Sequence, residues 1–161
     1  MLQYTMPNYK RIFRDNHSYF ITMTTHGRNP ILIDNIELLR ESFRVSKLNY
    51  EYDINAIVIL PDHIHMVITL ENARNYPKII KSIKQYFSKR CPSHYYTHYT
   101  QSKSRNKEGY FPIWQKRYFE HTIRDEQDFQ NILEYMYLNP QKHGFIEDAK
   151  KWKYSSFYKK L

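Results

Sequence analysis

The chain has 161 residues, with 25 Lys and Arg against 16 Asp and Glu, for a formal net charge of +9. That length suits one domain, read here as spanning 1–161, and 41% hydrophobic content argues against global disorder. A mean hydropathy of −0.79, no apolar run near the ~20 residues that cross a bilayer, and a first stretch (1–14) without an export signal's apolar core exclude an integral membrane protein and point to the cytoplasm.

Residues 1–16 are polar and irregular. Ser18 to Thr25 is β-branched and aromatic, the composition of a strand, and His26 to Pro30 is a turn. Asp34 with Glu37 three residues on forms a capping pair for a helix over 35–48, whose apolar positions are Ile36, Leu39 and Phe43. Asp53 to Leu60 is an apolar strand suited to burial on both faces. Pro61-Asp62 turns the chain into a second strand, His63 to Leu70, so the two make an antiparallel hairpin. Pro77 opens a helix to about residue 90. Ile79, Ile80, Ile83 and Phe87 line its buried face, and Lys78, Lys81 and Lys84 another. Residues 91–110 are polar and repetitive, a long loop or inserted flap. Their only cysteine, Cys91, is also the chain's only one, which excludes an internal disulfide and any zinc site built on several cysteines. Trp114 to Arg124 returns to strand. Asp125 caps a last helix over 126–138, which Pro140 ends, and an aromatic tail follows from Lys142.

This order of strand, helix, strand, strand, helix, strand is the α+β, ferredoxin-like split βαβ plan. It implies an antiparallel sheet with helices on one face, to which a C-terminal helix is added. Charge is uneven along it. Between Arg74 and Arg124 there are twelve Lys or Arg and two acids, while the rest holds thirteen against fourteen. One third of the chain therefore carries the whole excess. Together with 17% aromatic residues, sixteen of them tyrosine, this suits nucleic acid, whose phosphates need cations and whose bases stack on rings.

The sharpest local feature is His63-Ile64-His65. Residues two apart on a strand share a side, so both histidines face with Val67 and Thr69, while Ile64, Met66, Ile68 and Leu70 face the helices. Two imidazoles side by side on an open sheet face can chelate one divalent cation, although a lone pair of strand histidines needs no ligand. On the last helix, Phe129, Ile132, Leu133 and Met136 form the apolar stripe, with Tyr135 and Asn139 stacked four apart beside it. Asn139 offers an amide oxygen to complete a His/His/oxygen site, or simply ends a helix before Pro140. Tyr135 offers a phenol one turn away, or is an amphipathic boundary residue. Combined, a metal at His63, His65 and Asn139 could polarise a phosphodiester, and a tyrosine could attack phosphorus to give a phosphotyrosine.

Three stretches carry a family resemblance: 60–65 (LPDHIH), 114–124 (WQKRYFEHTIR) and 135–144 (YMYLNPQKHG). In this order, and with the tail 152–157 (WKYSSF), they resemble REP-associated tyrosine transposases, of the single-tyrosine HUH (insertion sequence 200-like) transposases. The resemblance covers about Tyr19 to Phe157. It implies a ferredoxin-like transposase that nicks and rejoins single-stranded or hairpin DNA, acting as a monomer or homodimer. It implies Mg²⁺ or Mn²⁺ on His63 and His65 with Asn139 as third ligand. It also implies Tyr135 as the nucleophile, which leaves a 5′-phosphotyrosine and a free 3′-hydroxyl. Tyr137, about 200° round the helix, is the alternative nucleophile. Lys78, Lys81, Lys84, Arg117, Arg124 and Lys142 are the DNA-binding candidates, with His143 beside Lys142. His121 is a candidate for supporting the metal ligands or touching DNA. Two rival readings remain open from sequence. One is a metal-dependent phosphodiesterase that uses water. The other is a non-catalytic nucleic-acid-binding module of the same fold.

Overall fold

The structure, a computed structural model, describes residues 15–158. The irregular stretch expected at 1–16 thus falls almost wholly outside the described residues. Four strands, β1 (His17–Thr24), β2 (Asp53–Ile59), β3 (His63–Leu70) and β4 (Phe119–Thr122), form one antiparallel sheet in the order β2-β3-β1-β4. The helices are α1 (Ile36–Asn49), α2 (Tyr76–Arg90), the short α3 (Lys103–Lys107) and α4 (Glu126–Lys142). This is the expected ferredoxin-like plan.

The sheet divides two cores. On one face Tyr19, Ile21 and Met23 of β1 and Ile64, Met66 and Ile68 of β3 pack against Leu39 of α1 and the Ile79, Ile80, Ile83 and Phe87 stripe of α2. On the other, Phe20, Val58 and Val67 meet Ile132 and Met136 of α4. Each such side chain contributes about 1.5–3 kcal/mol on burial. Strand β2 reaches both cores through a bulge. Its register against β3 shifts between Ile54 and Ala56, leaving Asn55 extra, so Ile54 faces the first core and Ala56 the second. Thr69 Oγ1 donates to Asn55 Oδ1 at 2.7 Å and holds the bulge.

Several local expectations are corrected. Asp34 does not cap α1: Asn35 occupies the cap position with no side-chain cap bond, and Glu37 turns forward to pair with Arg40. Serines count in the buried face of α1, where Ser42 and Ser46 lie inside with Leu39 and Phe43. Residues 91–110 are not a bare loop. Tyr95 and Tyr96 pack on the first core, α3 follows, and Tyr99 lies so close over Gly27 (φ 61°) that a Cβ there would meet its ring. Trp114 to Arg124 is not one strand. Residues 113–115 pair with 24–26, since His26 N–H donates to Ile113 O and Gln115 N–H to Thr24 O. The chain then loops out before β4 resumes at the Thr22–Phe119 pair, with four steps on this side spanning two on β1.

Asp125 caps α4 as expected, accepting from Asp128 N–H at 2.8 Å. Pro140, however, lies inside α4 and does not end it. A proline in a last turn removes only one ladder bond. The stop is Gly144 (φ 74°), where His143 N–H donates to Asn139 O and Phe145 N–H to Pro140 O, closing the helix end. The tail then returns to β2. Ile59 N–H donates to Tyr154 O, Ser156 N–H to Ile57 O, and Trp152 Nε1–H to Ile59 O at 2.9 Å.

Candidate active site

The pleat of β3 places His63 and His65 on one face, with ring centroids 4.8 Å apart. The face is not open, as the sequence suggested. Helix α4 covers it, and the two histidines are 3% and 4% exposed. The reason lies in Ile132 and Met136, which draw α4 onto Phe20 and Val67 of the same face. That docking brings Asn139, itself 2% exposed, to His63, with Oδ1 3.3 Å from Nε2.

Both imidazoles are oriented from behind. His63 Nδ1–H donates to Asp62 Oδ1 at 2.6 Å, and Arg28 Nε–H donates to Asp62 Oδ2 at 2.9 Å. Arg28 reaches Asp62 from the turn after β1, where its own backbone is left-handed (φ 57°) beside Gly27. With its proton on Nδ1, His63 turns the Nε2 lone pair toward the Asn139 oxygen. His65 Nδ1 is bonded to Thr22 Oγ1 at 2.7 Å, the Thr22–His65 pair of the β1–β3 ladder. Its Nε2 is buried with no hydrogen-bond partner. Burial lowers the pKa of His63, outweighing the nearby Asp62, and it lowers that of His65 well below 6.5, helped by His63, His143 and Arg28. Both rings are therefore neutral near pH 7, the form that binds metal.

An orphaned imidazole nitrogen, a second lone pair and an amide oxygen at one place fit a divalent cation. The described residues hold no cluster of three or more His, Cys, Asp or Glu side chains able to bind one. An ion here would therefore need the amide of Asn139 and solvent or substrate oxygens, which leaves positions open for chemistry.

Tyr135 stands one helical turn before Asn139. Its ring is 5.3 Å from His65 and 6.1 Å from Phe20, and Lys142 Nζ lies 5.6 Å from its centroid. The ring of His143 is 5.2 Å from that of His63. A cavity of about 280 Å³ opens here, lined by His63, His65, Tyr135, His143, Arg28 and Arg117 among others. The loop-out between Gln115 and β4 is what carries Arg117 and Tyr118 into this lining. Tyr137 points elsewhere and packs on Phe157 of the tail at 5.7 Å.

The structure does not gather every candidate. Lys78, Lys81 and Lys84 sit on α2, across the sheet from the histidines, so the cations of the basic third do not share one face. Lys84 reaches round to donate to Gln115 O at 2.9 Å. His121 Nε2 and Arg124 both engage Asp128 in the first turn of α4, about 16 Å along the helix from Asn139. His121 thus fastens β4 to α4 and is not the support for His63, His65 or Asn139 that the sequence suggested. Arg28 and Thr22 were missed from sequence. The ladder register places Thr22 and the left-handed turn after β1 places Arg28, and no local pattern displays either.

Against this geometry, residues 13–139 match the family profile described as Transposase IS200 like. A Haemophilus influenzae protein named as a candidate REP-associated tyrosine transposase is 39% identical over 156 residues, covering 96% of this chain and 87% of that one. The chain belongs to the REP-associated tyrosine transposases. A relative named REP-associated tyrosine transposase in Escherichia coli is 29% identical, with 96% of this chain and 84% of that one covered. Among solved structures, a REP-associated tyrosine transposase bound to a REP hairpin superposes with a TM-score of 0.76 at 28% identity, covering 94% of this chain and 83% of that one. The family profile ends at Asn139, so the helix end and the tail that grips β2 lie beyond it.

Proposed function

We propose that this transposase nicks and rejoins single-stranded DNA beside a hairpin, in the cavity under α4, with Tyr135 as nucleophile. The observation that carries the reading is convergence. β3 supplies His63 and His65, α4 supplies Tyr135 and Asn139, and packing brings them together around one orphaned nitrogen. The solved relative on a REP hairpin supports hairpin DNA as the partner.

His63, His65 and Asn139 would hold a divalent ion, Mg²⁺ or Mn²⁺, which when bound polarises the scissile phosphodiester and offsets charge in its transition state. The chain's own groups do the rest. Arg117 and Lys142, at the cavity, would hold flanking phosphates. Tyr135 attacks phosphorus and gives up its phenolic proton as the new O–P bond forms. The bond to the 3′ oxygen breaks, and that oxygen takes up a proton to leave a 3′-hydroxyl. The strand stays on Tyr135 as a 5′-phosphotyrosine, and attack by a 3′-hydroxyl reverses the sequence and joins strands.

The test is to incubate the protein with hairpin DNA carrying single-stranded flanks, with Mn²⁺ or with EDTA, and to map any covalent adduct by mass spectrometry. A metal-dependent adduct on Tyr135, absent in Tyr135→Phe while DNA binding persists, is expected. An adduct that survives Tyr135→Phe refutes the nucleophile, and cleavage without an adduct shows a water-using phosphodiesterase instead.

A further inference from the structure

The cavity at the histidines adjoins a second, larger one. It measures about 380 Å³ and lies between α2 and residues 105–118, and Gln115 and Tyr118 line both. Its charge is one-sided. Lys81, Lys84, Lys89, Arg105 and Lys116 line it against a single acid, Glu108. That acid already accepts from Ser104 Oγ at 3.0 Å. Two rings are held at its mouth in water: Tyr110 is 47% and Phe111 38% exposed.

Its walls are tied in place. Arg105 Nη2–H donates to Trp114 O at 3.2 Å, and its guanidinium lies 5.5 Å from the Tyr110 centroid. Lys84 Nζ donates to Gln115 O at 2.9 Å and stands 5.5 Å from the Tyr118 ring. The groove is therefore preformed, and these cations hold rings and carbonyls while keeping their charge. A core explains Trp114, buried against Phe87 at 5.4 Å, and Tyr96 meets Phe111 edge-on at 5.6 Å, yet Phe111 stays 38% and Tyr110 47% exposed. Cations alternating with exposed rings match a strand whose phosphates and bases alternate along its length. A duplex does not satisfy the rings, because each of its bases is covered on both faces by neighbours.

We infer that this groove binds single-stranded DNA continuous with the strand in the catalytic cavity, passing over Tyr118, with Lys81, Lys89 and Lys116 on phosphates and Tyr110 and Phe111 stacked on bases. The choice of DNA rests on the function proposed above. The groove makes no covalent bond and belongs to the face of α2 that the histidine site does not use. It gives the basic residues of α2 a task that their distance from the histidines otherwise denies them.

The test uses the full chain and a fluorescein-labelled oligothymidylate of about 12 nucleotides, read by anisotropy in EDTA. Tyr110→Ala and Phe111→Ala are each expected to weaken binding about tenfold, and Tyr110→Phe to bind as the wild type, since stacking needs the ring and not the hydroxyl. Lys81→Glu with Lys116→Glu, both exposed positions, should weaken binding as well and flatten its salt dependence. Photocrosslinking of a 5-bromouracil oligonucleotide should label residues 110, 111 or 118. Unchanged affinity in the alanine variants, crosslinks confined to other elements, or tighter binding of oligouridylate would overturn the inference. The covalent-adduct assay separates the two readings. No adduct on any hairpin, with Tyr110→Ala still weakening the oligothymidylate, rejects the nicking function and keeps the groove. A Tyr135 adduct with unaltered binding in Tyr110→Ala does the reverse.

Discussion

Asp62 does for His63 what its place in a two-residue turn does not advertise. It accepts the hydrogen bond from Nδ1–H and is itself gripped by Arg28, so the imidazole is fixed in rotation and tautomer. Asp62→Asn keeps the size but offers Nδ1 a weaker partner. Mn²⁺ affinity, followed by electron paramagnetic resonance of the free ion, should fall about 10- to 100-fold with the fold intact by circular dichroism. Equal affinity would show that Asp62 only shapes the turn. Acid tests the same residues differently. Folded His63 and His65 have pKa values below 6.5, so in the unfolded chain they bind protons more readily. The stability they protect is complete above 6.5 and is lost as pH falls below it toward the folded values. Urea midpoints measured down from neutral pH should decline through this range, and less steeply in His65→Gln. Asp128 acts only at lower pH. Burial would raise its pKa, but the Arg124 backbone N–H and the His121 and Arg124 side chains overcome this and hold it below 3.8.

Among the elements, β3 and α2 were legible because each pattern is local. Alternation assigns His63 and His65 one face and Ile64 and Met66 the other, and the stripe from Ile79 to Phe87 is buried as its spacing requires. Much of what failed depended on distant partners. β4 is short because the chain loops out at 116–118 to line the cavity, and nothing within that segment encodes the detour. Pro140 misled because a proline's cost depends on which turn it occupies, and Gly144 held the true stop. The tail illustrates the reach of tertiary structure. Trp152 is half-buried and donates to Ile59 O, on a segment bridged to β2 through Val58 and Ser155. Trp152→Ala should cost about 2 kcal/mol by urea denaturation, since it loses both ring burial and the indole bond. A cost near zero would show that the bridge at Ser155 holds the tail alone.

For the whole molecule, the ferredoxin-like order and the basic excess were both evident from sequence, but their arrangement in space was not. A count along the chain places twelve cations in one third of it, while folding sends some to α2 and others to the histidine cavity, on opposite sides of the sheet. Binding to hairpin DNA should still weaken with salt. If three phosphates are neutralised, an about fourfold rise in ionic strength should lower affinity about 40-fold by anisotropy. A flat response would mean that the cations do not meet the backbone. The candidate site was half legible: His63, His65, Tyr135 and Asn139 could be singled out as a group, but not that α4 would close over the histidines. That closure also imposes an order in time. The histidines precede Tyr135 by seventy residues or more, and α4 is the last long helix to leave the ribosome. A nascent or truncated chain therefore displays two bare imidazoles with neither Tyr135 nor Asn139 above them. On the mechanism proposed above, a chain that ends before α4 binds no DNA covalently, whatever its histidines hold.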